Sequence, residues 1–562
     1  MTAWALDLGT TNCGVACWDE APGRPRLIEL PTVCRKLDAN DPLEAPRLVP
    51  SAVHLLEKPG FLDRLGSWPP LERRLFLGRR ALIGRAALQH NEGTVYPSFV
   101  PTFKPALSEE SLRPLARVGR ESVTARDAAH AFLRELLYEV KRATGHRVRD
   151  LVVTSPVTAF ETYRAEVQQV LRQLGVHRVR FIDEPVAAAL GYGISLSQER
   201  TVLVVDVGGG TMHAVLVRLS PQGSISGQAN VLAKRGRTIG GNAVDGWVLD
   251  DLCRQMGHRL SEDGDEVDRL WRRLMLAEAC RVKEAVFFQP EEAFLMSPER
   301  SLLPAAPRQG DGSKGFVALT RDRLREILDE QGFYRSLAAS VDEVLEQGGV
   351  TADTVDDVLL VGGSTLLPGF FSWFEERFER RRVRAWQPFE AVVFGAACFA
   401  GDRMDALDFI VHDYAFVTHD PKTGEAQHTV IVPRGTRFPT SPELWKRQLV
   451  PTCALGEPES LFKLLICEIL RPDGDPRRFV WDAAGDVHKV GGASGDGEVV
   501  VPLNAASPTL GYLDPPHSPR DRRPRLEIAF GVNAERWLMA TVRDFAPAPP
   551  PDGPRLPGGA RW

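Results

Sequence analysis

Two segments of the sequence place an aspartate, glycines and threonine directly after an apolar run. Asp-Leu-Gly-Thr-Thr-Asn occupies residues 7–12 and leads into the apolar residues 15–18, and Asp-Val-Gly-Gly-Gly-Thr occupies residues 206–211 between the apolar runs 202–205 and 214–219. Glycines let backbone N–H groups approach phosphate oxygens, threonine hydroxyls add donors, and an aspartate at a strand end can face magnesium or its waters. The recurrence of this pattern about 200 residues later predicts two related phosphate-binding loops in one fold.

A third segment has residues suited to a flat ligand. Leu-Leu-Val-Gly-Gly-Ser-Thr at residues 359–365 closes an apolar strand and precedes a helix that we expect to begin near Gly369. Its adjacent glycines, Gly362 and Gly363, permit the close approach of a nucleoside. A plain strand-to-helix turn is the alternative, and the segment alone does not decide between the two.

The elements that would position these loops alternate along residues 1–400. Short apolar runs, typical of strands in a sheet covered on both faces, occupy residues 4–8, 151–154, 202–207 and 358–361. Apolar stripes with helical spacing run through residues 129–140, 244–256, 270–286 and 324–345. Strands that alternate with helices predict an α/β fold for this part of the chain.

After residue 401 the pattern becomes that of a β protein. Residues 526–532 and 537–542 alternate as the two strands of a hairpin, and residues 429–432 and 461–470 are further strand candidates. We expect an all-β module, followed at residues 546–562 by a disordered tail rich in Pro, Gly and Ala.

Composition excludes several classes of protein. The 562 residues carry 69 Lys and Arg against 74 Asp and Glu, a formal charge of -5, which argues against a dedicated nucleic-acid binder. The sequence has no apolar run of about 18 residues, and its N-terminus lacks the pattern of a secretory signal. The eight cysteines form no C-x-x-C pair, so we expect buried free thiols in a cytoplasmic protein with neither nucleic acid nor membrane as a partner.

The three loops, together with Ile-Asp-Glu-Pro-Val-Ala-Ala-Ala-Leu-Gly-Tyr-Gly at residues 182–193, resemble those of the DnaK-type seventy-kilodalton heat-shock chaperones. These chaperones belong to the actin and sugar-kinase ATPase superfamily. The resemblance implies a duplicated actin-like (ribonuclease H-like) ATPase domain at residues 1–400, a linker at 401–410 and a peptide-binding β-sandwich at 411–545. It also implies ATP or ADP and Mg²⁺ as the bound groups.

The resemblance assigns roles to residues that match the family's motifs. Asp7 and Asp206 would hold the magnesium, and Glu184 would help to place the attacking water. Lys104, in Pro-Thr-Phe-Lys, would orient that water, and Thr211 completes the catalytic set. A solvated surface acid and an exposed loop lysine are the alternatives for Glu184 and Lys104. The residues that would contact the nucleotide are Gly9, Thr10, Thr11, Asn12, Gly208, Gly209, Gly210, Gly240, Gly241, Lys283, Gly362, Gly363 and Ser364.

Family members couple nucleotide state to client binding through a proline and an arginine eight residues later. Pro156 and Arg164 have that spacing, although an ordinary helix-start proline and a surface arginine are the alternative. The family's linker is a run of leucines followed by an aspartate. Here residues 404–410 keep Asp408 but have one leucine before it, so we expect weaker coupling between the domains.

One departure from the family falls in the second loop. The family's Gly-Gly-Gly-Thr-Phe-Asp ends here in Met-His, so that His213 replaces an acid near the ions. A neutral imidazole prefers softer metals than magnesium, and an imidazolium would repel the cation. We therefore expect nucleotide binding with slow hydrolysis.

A second departure falls in the adenosine pocket, where many members clamp the base between two arginines. If Lys283 takes the family's lysine position, these arginines become Glu284 and Leu366, and Phe287 replaces a serine that contacts the sugar or base. A register shifted by two residues would instead put Arg281 at the lysine position. The sequence does not decide between the registers, and either one suggests relaxed selectivity for the base.

The β module resembles the family's peptide-binding sandwich, in which an extended polypeptide lies in a groove. The sequence ends about 20 residues after the predicted hairpin, so we expect no helical lid and fast client release.

The leading hypothesis is an ATP-driven chaperone for unfolded polypeptides, assisted by a J-domain cochaperone and a nucleotide exchange factor. A nucleotide-binding scaffold or sensor with little turnover, its β module holding one fixed partner, is the alternative. A small-molecule kinase of the same superfamily has less support, because no sugar-binding segment is evident.

Overall fold

The computed structural model divides the chain into two compact units, Met1–Leu407 and Asp408–Trp562. Each is considered by itself below. The structure describes residues 3–21, 23–35, 43, 48–57, 80–91, 96–109, 112–156, 161–257, 266–295, 316–402, 413–419, 426–434, 436, 439–451, 453, 457–470, 479–482, 485–489, 499–505, 508–533, 538–545 and 560–561. Residues 403–410 of the predicted linker, Asp408 among them, lie outside these residues.

The first unit alternates strands and helices, as the sequence predicts. Its strands are β1 (Trp4–Leu8), β2 (Asn12–Asp19), β3 (Arg24–Leu27), β4 (Val49–Pro50), β5 (Val53–Leu55), β6 (Ala81–Ile83), β7 (Phe99–Val100), β8 (Pro114–Val118), β9 (Glu121–Thr124), β10 (Asp150–Ser155), β11 (Arg178–Asp183), β12 (Arg200–Val207), β13 (Met212–Leu219), β14 (Asn230–Arg237), β15 (Glu291–Leu295), β16 (Phe316–Thr320), β17 (Asp357–Val361) and β18 (Val383–Arg384). Its α-helices are α1 (Arg85–His90), α2 (Lys104–Glu109), α3 (Ala125–Thr144), α4 (Glu161–Gln173), α5 (Glu184–Gly191), α6 (Pro221–Ser226), α7 (Gly241–Gln255), α8 (Glu266–Ala285), α9 (Arg321–Glu330), α10 (Phe333–Gly348), α11 (Phe370–Phe378) and α12 (Ala391–Ala400).

The same sheet arrangement occurs twice in this unit. One sheet has the order β11-β10-β1-β2-β3, with β4 beside β2, and another has the order β14-β13-β12-β17-β18. In both, the central strand pairs antiparallel with the strand that follows it and parallel with a strand from later in the chain. Residues 7–12 and residues 206–211, here called the two Asp-Gly loops, each contain the turn between these two antiparallel strands. The two loops therefore occupy equivalent places in their sheets.

The apolar strands are buried on both faces. In β1, Trp4, Leu6 and Leu8 enter one hydrophobic core while Ala5 enters another on the opposite face. β10 divides its side chains between the same two cores, because successive side chains of a strand point to opposite faces. The prediction of a sheet covered on both faces is confirmed for these strands.

One helix prediction is wrong. The stripe at residues 324–345 is two helices, α9 and α10, interrupted at Gly332, whose φ of 69° lies in the left-handed region. The apolar spacing continues across the break because both helices bury apolar side chains, among them Leu324 and Leu328 in α9 and Leu337 and Val341 in α10. The helix predicted to begin near Gly369 is confirmed as α11.

Helices α5 and α12 cross with their backbones in near contact. A Cβ on Gly395 would lie 1.8 Å from the carbonyl oxygen of Ala187, and a Cβ on Gly191 would lie 1.8 Å from that of Ala391. The two glycines therefore permit the crossing. Because α5 begins at Glu184, this crossing also positions a predicted site residue.

A buried ion pair ties α9 to α7. Asp251 is 5% exposed and accepts hydrogen bonds from Arg323 Nη2 at 2.8 Å, Gln255 Nε2 at 2.8 Å and Arg254 Nη1 at 3.1 Å. Burial raises the pKa of Asp251, but the hydrogen bonds from Arg323 and Gln255 outweigh it and hold the pKa below its usual value.

Asp251→Asn is expected to lower the free energy of unfolding by about 2 kcal/mol at pH 7, because it leaves Arg323 without its buried counter-charge. A carboxyl group with a depressed pKa contributes stability that is present above its unfolded pKa of about 4 and is lost as the pH falls through the folded value. The deficit should therefore shrink in acid, as urea denaturation at several pH values would show. Asp250→Asn, a neighbouring exposed aspartate, is the control and should change stability by under about 0.5 kcal/mol. An equal deficit at every pH would contradict this assignment.

The second unit consists of strands in the part that the structure describes. They are β19 (Asp413–His419), β20 (Ala426–Val432), β21 (Trp445–Leu449), β22 (Glu459–Lys463), β23 (Ile466–Leu470), β24 (Phe479–Trp481), β25 (Val487–Lys489), β26 (Val499–Pro502), β27 (Thr509–His517), β28 (Leu526–Val532), β29 (Leu538–Asp544) and β30 (Ala560–Arg561). Two four-stranded sheets, β20-β19-β23-β26 and β21-β28-β29-β30, are accompanied by the pairs β22-β27 and β24-β25.

Three predictions for this unit have different outcomes. The hairpin is confirmed as β28 and β29, paired from Leu526 with Asp544 to Val532 with Leu538. The single strand predicted at residues 461–470 is wrong, because β22 and β23 pair in different sheets and the chain crosses between them at Leu464 and Leu465. The disordered tail is wrong for β30, which adds to the edge of β29, and the rest of that tail lies outside the described residues.

Two further expectations concern cysteines and membranes. All eight cysteines are free; six are buried as predicted, whereas Cys280 and Cys453 are half-buried. Among the residues described, no helix has the length and apolarity needed to cross a membrane.

Candidate functional site

The two Asp-Gly loops face each other. A Cβ on Gly209 would lie 3.6 Å from Thr11 Oγ1, although the two loops belong to different sheets. The first loop is held from behind, since Thr102 Oγ1 donates to the Thr10 carbonyl oxygen at 2.8 Å and Ser51 Oγ donates to that of Gly9 at 2.7 Å. The side chains of Thr10 and Thr11 are exposed. Backbone and hydroxyl groups of both loops thus border one space.

Lys104 and Glu184 form an ion pair beside these loops. Lys104, the first residue of α2, is 6% exposed, and its Nζ lies 2.7 Å from Oε1 of Glu184, the first residue of α5. Phe103, which precedes the lysine, is fully buried and fixes the start of α2. The alternatives of an exposed loop lysine and a solvated surface acid are therefore wrong.

The electrostatics of the site are dominated by carboxylates. Burial raises the pKa of Asp7 to about 6 and that of Asp206 to about 7; Lys104 opposes both shifts and Glu184 adds to them. Burial lowers the pKa of Lys104, but Glu184, Tyr163 and Asp7 outweigh it and hold the pKa above its usual value. The lysine is thus positively charged beside three acids.

This donor set suits a magnesium ion that also binds phosphate. Magnesium prefers oxygen ligands and usually combines one or two carboxylates with phosphate oxygens and waters. Asp7 and Asp206 are half-buried, and their raised pKa values show that a positive charge near them would be favourable. Among the described residues, no cluster of three or more His, Cys, Asp or Glu side chains could hold a metal by itself.

The third loop packs directly against the second. Ser364 Oγ donates to the Gly208 carbonyl oxygen at 3.0 Å. Gly362 has a φ of 89°, and a Cβ there would lie 2.4 Å from the Val207 carbonyl oxygen and 2.7 Å from Asp206 Oδ1. A glycine is therefore required at this position by both conformation and space.

The N-terminal end of α7 packs against the second loop. Gly241 and Asn242 donate their backbone N–H groups to the carbonyl oxygens of Gly208 at 2.9 Å and Gly209 at 2.7 Å. A Cβ on Gly240 would lie 2.6 Å from the Gly209 carbonyl oxygen. The glycine pairs at residues 208–209, 240–241 and 362–363 therefore form one small-residue cluster.

The structure distinguishes the two registers of α8. Lys283 is buried, and its Nζ lies 2.7 Å from Asp245 Oδ1 and 3.5 Å from the Gly241 carbonyl oxygen. Arg281 instead bonds Glu278 through two nitrogens and reaches Glu292 in β15. Lys283 is therefore the residue of α8 that lies beside the glycine cluster.

Around Lys283, the side chains that replace the family's adenosine-pocket residues are mostly buried. Leu366 is 1% exposed and Phe287 is 3% exposed, so neither offers an open apolar face to a base. Glu284 is half-buried, with Cys280 Sγ 3.5 Å from its Oε1. The two positions that the resemblance assigns to the family's arginines thus hold a half-buried acid and a buried aliphatic side chain.

His213 lies directly across the β12–β13 ladder from Asp206. Its side chain is accessible, yet the pKa of the imidazole is lowered, first by loss of hydration and then by Lys104, while Glu184 opposes the shift. His213 is therefore neutral at pH 7 and adds no cation beside the aspartates.

Arg164 connects two segments that border the site. Its Nη2 lies 2.6 Å from Asp183 Oδ1, and its Nε donates to Ser155 Oγ at 3.3 Å. Asp183 precedes Glu184, and Ser155 precedes Pro156. The surface-arginine alternative is wrong, because Arg164 is 23% exposed and paired with a buried acid.

Sequence reasoning missed Thr154, Asp183 and the pairing of Asp245 with Lys283. Thr154 Oγ1 donates to Asp7 Oδ1 at 2.7 Å across 147 positions of sequence. Asp183 has a weak sequence signal, because it lies within the segment 182–193 that carries part of the family resemblance. Thr154 has none, since only the pairing of β1 with β10 brings it to Asp7.

Comparisons with known proteins agree with this arrangement. A family model described as Hsp70 protein matches residues 96–450. The chain is 26% identical over 458 residues to the chaperone protein DnaK of Thermus thermophilus, covering 78% of this chain and 67% of that protein. It is 28% identical over 450 residues to the chaperone protein dnaK3 of Thermosynechococcus vestitus, covering 77% and 60%. The stromal 70 kDa heat shock-related protein, chloroplastic, of Pisum sativum is 27% identical over 475 residues, covering 80% and 60%.

Proposed function

Because the chain belongs to the Hsp70 protein family, we propose that it is an ATP-binding chaperone that couples ATP hydrolysis to the binding and release of unfolded polypeptide. The observation that carries the proposal is that the two Asp-Gly loops face each other and that buried Lys104 forms an ion pair with half-buried Glu184. The chain spans about 60 to 67% of the length of the relatives described above. Client binding by the whole protein is therefore part of the proposal.

Phosphoryl transfer needs positioning and charge stabilisation more than covalent chemistry. Backbone N–H groups of residues 9–12 and 208–210, with the hydroxyls of Thr10, Thr11 and Thr211, would bind the β- and γ-phosphates. The Lys104 ammonium and the Glu184 carboxylate are joined by a hydrogen bond of 2.7 Å. Together they would orient the attacking water. The third loop and Lys283 would border the nucleoside.

Asp7 and Asp206 are the residues that would hold magnesium, directly or through its waters. When bound, the ion would neutralise phosphate charge that these carboxylates would otherwise repel. The protein's own contribution is to hold both carboxylates close to the phosphate loops, where their raised pKa values make the approach of a cation favourable.

The domain assignments belong to the same proposal. The two sheets of the first unit have corresponding strand orders and strand directions, which supports a duplicated actin-like domain at residues 1–400. The strands after residue 412 support a peptide-binding sandwich at residues 411–545. The linker at 401–410, a J-domain cochaperone, an exchange factor and a cytoplasmic location stay predictions.

Nucleotide state would reach the client through Arg164 and Pro156. Arg164 bonds the residue before Glu184 and the residue before Pro156. A change at the Glu184 carboxylate during hydrolysis would alter the bond between Arg164 and Asp183. Through Arg164 it would then alter the bond between Arg164 and Ser155. This physical link makes the pair a candidate for coupling between the two units.

Single-turnover hydrolysis of ATP, measured with and without an unfolded peptide, tests the proposal. Turnover that the peptide stimulates supports a chaperone. Tight ATP binding without turnover would instead support the scaffold or sensor, which His213, Glu284 and Leu366 favour because each departs from the family pattern. A phosphorylated metabolite as product would identify a kinase.

His213→Asp is expected to accelerate hydrolysis about tenfold, because it places a third oxygen ligand beside Asp206, where magnesium and its waters would lie. The single-turnover rate constant is the measurement. His213→Asn, which removes the imidazole without adding charge, is the control and should have a smaller effect. An unchanged rate for His213→Asp, or a loss of ATP binding, would count against this interpretation.

A further inference from the structure

One buried hydroxyl beside the site is unexplained by the proposed function. Tyr163, in α4, has 0% exposure, and its hydroxyl has no hydrogen-bond partner among the residues that the structure describes. Buried hydroxyls are nearly always paired, so an unpaired one in a folded protein calls for a reason. If such a buried, unpaired phenol lay far from a functional site, it would only lower the stability of the fold.

The helix that carries this hydroxyl neighbours the helix that begins at Lys104. Helix α4 packs against α2, which begins at the lysine. Tyr163 shares its hydrophobic core with Phe103, the residue before Lys104, and with Leu8, the residue after Asp7. The neighbouring residue in α4, Arg164, holds Asp183, which precedes Glu184. Tyr163 therefore shares a helix or a core with neighbours of three site residues, Asp7, Lys104 and Glu184.

Charges of the site act on this phenol. Burial raises the pKa of Tyr163 to about 12, while Lys104 lowers it and Glu184 raises it. The group therefore stays neutral at physiological pH. A neutral phenol has one donor and two acceptor sites, and it can hold an ammonium ion without cancelling its charge. A carboxylate cannot do this, because it forms an ion pair with the lysine.

We propose that Tyr163 is a positioning residue for Lys104: its hydroxyl accepts a hydrogen bond from the ammonium group when the lysine turns from Glu184 toward the nucleotide. The proposal rests on the proposed ATPase function and deepens it. Glu184 then becomes available to the attacking water, while the full positive charge of Lys104 faces the γ-phosphate. The tyrosine contacts neither nucleotide nor water in this scheme.

Tyr163→Phe tests the proposal because it removes only the hydroxyl. The single-turnover rate constant of hydrolysis should fall about tenfold, a change of about 1.4 kcal/mol in the barrier. The Kd for ATP should change by less than about twofold, because the phosphate loops are untouched. The thermal midpoint should stay the same or rise, since an unpaired buried hydroxyl is lost. A merely structural tyrosine would leave the rate constant unchanged.

Tyr334→Phe is the matched control. Tyr334 is a half-buried tyrosine, and its hydroxyl donates to the carbonyl oxygen of Pro368, two residues before α11 begins. Its loss should lower the thermal midpoint and leave the rate constant as in the wild type. A second test places Tyr163→Phe in a Lys104→Met background, where it should have no further effect on the residual rate, because the two residues act as one unit.

The outcomes separate this inference from the proposed function. If the wild type hydrolyses ATP and Tyr163→Phe does so at the same rate, only the role of Tyr163 is overturned. A multiplicative loss in the double variant, or an equal loss of rate and ATP affinity in the single one, also overturns it. If the wild type binds ATP without turning it over, the proposed function fails, and the role of Tyr163 fails with it.

Discussion

Lys104→Ala is expected to lower the single-turnover rate constant of ATP hydrolysis at least about 100-fold, because it removes a buried cation from the reacting phosphate. The ammonium group lies 2.7 Å from Glu184 and is the positive charge that opposes the raised pKa values of both Asp7 and Asp206. Without it, three acids would face the phosphates. The Kd for ATP should rise by less than about tenfold, since the backbone donors of the loops remain.

The control for this variant is Lys141→Ala. Lys141 is exposed near the end of α3, and its loss should leave hydrolysis unchanged. Rates would be measured with enzyme in excess over ATP, and affinity would be measured separately by titration. A Lys104→Ala protein that keeps more than about a third of the wild-type rate would remove Lys104 from the mechanism.

Gly395→Ala is expected to lower the free energy of unfolding of the first unit by more than about 3 kcal/mol, or to prevent folding. The added Cβ would lie 1.8 Å from the Ala187 carbonyl oxygen and 2.7 Å from the Gly191 nitrogen. Both atoms belong to the backbone of α5, so no side-chain rotation can relieve the overlap. Urea denaturation followed by circular dichroism would report the loss.

Gly246→Ala is the matched control for the helix crossing. Gly246 lies within α7, and a Cβ there would meet no atom within 4 Å. This variant should gain about 0.5 to 1 kcal/mol, because alanine favours the helix. Equal stability changes in the two variants would show that the α5–α12 crossing does not depend on Gly395. Since α5 begins at Glu184, any soluble Gly395→Ala protein should also hydrolyse ATP more slowly.

The fold of the first unit was largely predictable because its signals are local. The apolar runs of β1, β10, β12 and β17 and the stripes of α3, α7 and α8 arise from residues within a few positions of one another. The division of residues 324–345 into two helices was not predicted, because Gly332 leaves the apolar spacing intact on both sides. In the second unit, residues 461–470 were predicted to be one strand. The chain passes from one sheet to another at Leu464 and Leu465, and this crossing leaves the run of apolar residues unchanged.

Residue types and short spacing, which the chain carries before it folds, were enough to identify two Asp-Gly loops and a glycine pair for a nucleoside. The acid in the segment 182–193 was identified by its resemblance to a family motif. Tertiary structure alone decided which of them meet. The pairing of Lys104 with Glu184 and the position of Lys283 rather than Arg281 beside the glycines join elements distant in sequence. The burial of the Tyr163 hydroxyl without a hydrogen-bond partner among the described residues was likewise set by packing. Such contacts are set by how helices and sheets pack, and packing depends on the whole core and not on any one segment.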